Sequence, residues 1–67
     1  YENLTPREQE VLVQVVSGKL NKQIAFDLGN SERTIKAHRA SIMEKLGVQS
    51  VAELARLAQA LGIEPIR

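Results

Sequence analysis

Six cations fall between Lys19 and Lys45 of this 67-residue chain, namely Lys19, Lys22, Arg33, Lys36, Arg39 and Lys45, against three carboxylates, Asp27, Glu32 and Glu44. The rest of the chain holds three basic and five acidic residues, so a net charge of +1 conceals a basic middle between acidic ends. Clustered Lys and Arg suit the neutralisation of a polyanion such as a nucleic-acid backbone; a solvated mixed-charge face is the alternative reading. Catalysis has no comparable footing. There is one histidine and no cysteine, and the carboxylates are scattered over separate capping positions, so no nucleophile, base and orienter converge. The same inventory excludes disulfides and a Cys/His zinc site, and nothing in it calls for a metal or a cofactor.

Those cations need a scaffold, and the chain is long enough for one small domain, residues 1–67. Its only aromatics are Tyr1 and Phe26, so the core must come from Leu, Ile, Val, Ala and one Met, which favours an all-α fold. No apolar run is long enough to span a membrane and no signal-like start is present, which makes a cytoplasmic location the default. The polar lead over residues 1–4 reads as the remnant of an interdomain linker. Thr5-Pro6-Arg7-Glu8 offers a capping box with proline at the first helical position, and predicts a helix over about 6–17 with Val11, Leu12, Val15 and Val16 inside. Asn21 can cap a second, over 21–28, with Ile24, Ala25 and Leu28 as its buried stripe. Ser31 caps a third over 32–46. Ser50-Val51-Ala52-Glu53 reads as another capping box, opening a fourth over 50–61, with Gly62 and Pro65 as its stop. The expected architecture is a compact four-helix bundle.

The short second helix, a turn of three residues and the longer third helix have helix-turn-helix spacing. In that motif the first helix crosses the sugar-phosphate backbone and the second enters the major groove, where each base pair shows a distinct pattern of donors and acceptors. At about 100° per residue, Ile35, Ile42 and Leu46 share the buried side of the third helix, while Arg33, Lys36, Ala37, Ala40 and Glu44 cluster opposite. Arg33 and Lys36 are therefore the candidate base donors, and small Ala37 and Ala40 permit close approach to base edges or a thymine methyl. Thr34, His38, Arg39 and Lys45 lie on the flanks, within reach of phosphates; His38 reads equally well as a structural residue. Asn21 and Lys22 fit a phosphate clamp at the start of the second helix, with plain capping and solvation as the alternative.

Leu4-Thr5-Pro6-Arg7-Glu8, Asn21-Lys22-Gln23-Ile24-Ala25, Thr34-Ile35-Lys36-Ala37-His38-Arg39 and Lys45-Leu46-Gly47-Val48 together resemble the LuxR-type helix-turn-helix domain, most closely the C-terminal output domain of FixJ/NarL-type response regulators. The resemblance runs from Leu4 to about Leu61. It implies a bacterial transcription regulator of a two-component system that binds double-stranded DNA as a homodimer, with the third helix in the groove and the fourth supplying the dimer contact. By position in the motif, Lys36, Ala37 and Ala40 match base-facing sites, Asn21, Lys22, Thr34, His38 and Lys45 match backbone positions, and Glu8 matches a structural glutamate. The further partners implied are an N-terminal receiver domain in the parent protein and RNA polymerase, with no membrane role. The chain departs from the family at Asn30, where an apolar residue is usual, and at Ala40, where a longer polar side chain is common; the latter points to heavier use of DNA shape.

On the fourth helix Leu54, Ala55, Leu57, Ala58 and Leu61 form an apolar surface broad enough for one stripe to seal the core and another to meet a twin; the expected dimer contact is Leu54, Ala55, Ala58 and Leu61. That all of it is core is the alternative. A promoter-recognition domain of a sigma factor shares the Leu-Thr-x-Arg-Glu opening and is the nearest competing identity. A helical protein-docking module is the competitor from a different class.

Overall fold

Three of the four described helices begin where a cap side chain accepts from an amide of the first turn. The computed structural model describes residues 3–63, and these form α1 (Pro6–Val16), α2 (Asn21–Leu28), α3 (Glu32–Leu46) and α4 (Val51–Ala60). The expected limits of the first and fourth helices ran onto their cap residues, Ser17, Ser50 and Leu61. The expected stop at Pro65 lies outside the described residues.

At α1, Thr5 Oγ1 accepts from the Glu8 amide at 3.1 Å and Glu8 Oε1 accepts from the Thr5 amide at 2.9 Å, the reciprocal box the sequence implies. Ser31 Oγ accepts from the Thr34 amide at 3.1 Å and starts α3. At α4 only half of the expected box forms. Ser50 Oγ accepts from the Glu53 amide, but the Glu53 carboxylate accepts from the Gln49 amide, one residue upstream of the cap. Asn21 is not the cap of α2 either. The cap is extended Leu20, which has no side-chain acceptor; its own amide donates to Gln23 Oε1 at 2.9 Å, and Asn21 is the first helical residue.

Gly29 ends α2 in the left-handed region, at φ +69°, where a side chain would be strained. The Asn30 amide then returns to the Ala25 carbonyl at 2.9 Å, so the chain turns sharply into α3 without needing an unusual conformation at Asn30 itself.

Helix α1 is central: it packs against α2, α3 and α4, while α2 and α3 also pack on each other. Val11, Leu12 and Val15 from α1 meet Ile24 and Ala25, Ile35 and Ile42, and Leu54 in a single core. Leu4 joins them, so it is a core residue and not part of a linker. Leu46, Met43 and Leu28 pack on its edge, whereas Phe26 stands 87% exposed and takes no part in it. Truncating a fully buried Leu in so small a core should cost about 2–5 kcal/mol. None of the described helices is long and apolar enough to cross a membrane.

Candidate nucleic-acid interface

Ile35 and Ile42 are fully buried and fix the roll of α3 about its axis. The opposite face is then presented outward: Arg33, Lys36, Ala37, Ala40 and Glu44 are all exposed. Thr34, His38 and Arg39 are half-buried on the flanks, Asn21 is half-buried at the first turn of α2, and Lys22 is exposed beside it. Eight residues of α2, the turn Gly29-Asn30-Ser31 and fifteen residues of α3 complete the helix-turn-helix.

Ion pairing divides the cations sharply. Arg7 pairs with Glu10 at 3.0 Å, Lys19 with Asp27 at 2.9 Å and Lys45 with Glu8 at 2.7 Å. Among the described residues that leaves Lys22, Arg33, Lys36, Arg39 and Arg56 without a carboxylate partner, and all but Arg56 lie on α2 and α3. The helix-turn-helix therefore carries positive charge that the fold does not neutralise internally. Arg39 does have a neutral partner, because its Nη1 donates to Asn21 Oδ1 and so joins α3 to the start of α2.

Lys45 of the expected phosphate set is exposed but already bonded to Glu8. Glu8 is only 4% exposed and gathers three donors, Lys45 Nζ at 2.7 Å, Ser41 Oγ at 2.7 Å and the Thr5 amide at 2.9 Å. Its carboxyl is held at about 2, well below the ordinary 4.5, by the Lys45 bond first and then by those from Thr5 and Ser41. This hub ties the start of α1 to the last two turns of α3. Its Ser41 arm went unmarked in the sequence, where only the i, i+4 spacing of Ser41 and Lys45 hinted at a shared partner.

The dimer expectation needs correction at two residues. Leu54 is 1% and Ala58 2% exposed, both covered by the packing of α4 on α1. Ala55 and Leu61 are exposed, and Val51 is exposed on the same helix. A helical wheel shows which residues share a face, but not which half of a broad apolar face a neighbouring helix covers.

This arrangement is matched by known proteins. Residues 2–58 match the family model of bacterial regulatory proteins of the luxR family. The chain is 44% identical over 63 residues to Nodulation protein W of Bradyrhizobium diazoefficiens, covering 94% of this chain and 28% of that protein. It is 51% identical over 61 residues to the response regulator protein TmoT of Ectopseudomonas mendocina, covering 91% and 28%. To the transcriptional regulatory protein FixJ of Rhizobium meliloti it is 45% identical over 64 residues, covering 96% and 31%. The chain thus spans less than a third of the length of these relatives. With a helix-turn-helix fold, a positive outer helix and a family match over most of its length, this is a domain of DNA-binding transcription regulation, and the chain belongs to the luxR family of bacterial regulatory proteins.

Proposed function

We propose that this chain is the DNA-reading output domain of a two-component response regulator, binding double-stranded DNA sequence-specifically with α3 in the major groove. The observation that carries the reading is the set of four cations on the helix-turn-helix, Lys22, Arg33, Lys36 and Arg39, that have no carboxylate partner among the described residues. Arg33 and Lys36 donate to base edges and Ala37 and Ala40 let the helix approach closely. Asn21, Lys22, Thr34 and His38 hold the phosphates on either side, with Arg39 bonded to Asn21 beside them. A receiver domain N-terminal to this one in the parent protein, and RNA polymerase as a further partner, complete the proposal; that relatives are called response regulators supports the two-component reading.

Two copies meet through the exposed apolar residues Val51 and Ala55 of α4 and Leu61 at its end, and place two α3 helices on half-sites about one helical turn apart. Selection of bound duplexes from a random pool tests this. Recovered sites should contain paired half-sites centred roughly 10 bp apart; an unpaired short motif would remove the dimeric mode, and no enrichment would favour a helical docking module.

A further inference from the structure

Arg39 and Asn21 lie on different helices, 18 positions apart in the sequence, yet Arg39 Nη1 donates to Asn21 Oδ1. Arg39 has no carboxylate partner among the described residues, so this amide oxygen is the group its guanidinium has found. A guanidinium carries five N–H donors and no acceptor, and can face only the oxygen end of a carboxamide. The bond therefore selects one of the two amide orientations open to Asn21. It turns Nδ2, with its two N–H donors, away from Arg39, and no acceptor among the described residues meets them. Exposed Lys22 is the next residue.

We propose that Arg39 is a positioning residue for DNA binding: by holding Asn21 through its oxygen, it presents the Asn21 Nδ2 donor to a backbone phosphate. The inference rests on the reading that the outer face of α2 and α3 meets DNA, and deepens it by assigning Arg39 an action through a neutral side chain. The donor is oriented before the phosphate arrives, which reduces the side-chain ordering that binding would otherwise require. Lysine could still donate to the same oxygen, but its single flexible ammonium lacks the planar fork of arginine and orients the amide less firmly.

The test uses a duplex recovered from the random pool, with its phosphates replaced one at a time by neutral methylphosphonates. The unmodified chain should lose affinity several-fold at a phosphate beside the start of α2. Asn21→Ala and Arg39→Met should each abolish the sensitivity at that phosphate and spare it elsewhere, the double variant should bind no worse than either single one, and Arg39→Lys should recover part of it. Asn21→Asp keeps the acceptor for Arg39 but removes the donor; it should unfold at the same temperature as the unmodified chain or higher and still bind many-fold more weakly. Losses that multiply in the double variant would overturn the positioning role and leave the DNA reading in place, as would an Asn21→Asp variant that binds normally. Uniform weakening at every phosphate in step with a lower unfolding temperature would make Arg39 structural and also overturn it. Failure of the unmodified chain to bind duplex DNA at low salt would overturn both readings.

Discussion

Lys36 and Lys45 sit exposed on the same helix and carry the same charge, yet only one of them is held by a carboxylate. Lys45 Nζ lies 2.7 Å from a buried carboxylate that also holds Ser41 and the Thr5 amide, whereas Lys36 has no carboxylate partner among the described residues. The contrast extends through the molecule. Helices α1 and α4 and the far end of α3 are closed on one another by packing and by the Glu8 hub, while α2 and the outer face of α3 hold charge in reserve. What recommends a cation for an external anion is thus the charge left after internal pairing, and not the number of Lys and Arg in a segment.

The closed half can be broken most severely at its centre. Leu54→Ala should lower unfolding free energy by about 2–5 kcal/mol, measured by urea denaturation, and leave the affinity of the folded fraction for DNA unchanged. A change near zero would mean that the α1–α4 contact is not what closes this half.

The hub comes next. A carboxyl held at about 2 when folded, against an ordinary 4.5, contributes stability that is fully present above pH 4.5 and lost as pH falls toward 2. Glu8→Gln should therefore flatten the loss of stability with pH across that window, with the unfolding midpoint recorded at each pH. Lys45→Met should destabilise the fold without altering the salt dependence of DNA binding. A shallower salt slope would instead return Lys45 to the phosphate set.

The open half should respond in the opposite way. Lys36→Ala should leave the unfolding midpoint unchanged and weaken specific binding by about 1–3 kcal/mol, with relaxed preference at one base step. Equal losses on selected and random duplexes would make Lys36 a phosphate contact. Smallest is Lys22→Ala, which should shallow the dependence of log affinity on log salt by about one unit per bound copy; an unchanged slope would remove it from the backbone contacts.

Much of this was legible because local chemistry and periodicity agreed. Thr5 and Glu8, Ser31, and the glycines after α2 and α3 mark helix ends through groups a few residues apart. The 3.6-residue repeat in α3 separated Ile35 and Ile42 from Arg33, Lys36, Ala37 and Ala40 correctly. What the sequence could not show were bonds made across the fold. That Asn21 serves Arg39 instead of capping α2, that Lys45 is held by Glu8, and that α1 covers Leu54 and Ala58 but not Ala55 all depend on how helices meet. Leu4 belongs to the same group, since a single leucine before a cap has no periodicity to reveal its burial.

The most direct test of the central claim is the salt dependence of binding to the best duplex from the random pool. With Lys22 on a phosphate and Arg33, Lys36 and Arg39 close by, log affinity should fall linearly with log salt, with a slope of at least about −1 per bound copy, steepening toward about −3 to −4 if all four cations neutralise phosphates. A slope near zero, or no binding at low salt, would contradict the claim that the charge held in reserve on α2 and α3 is there for DNA.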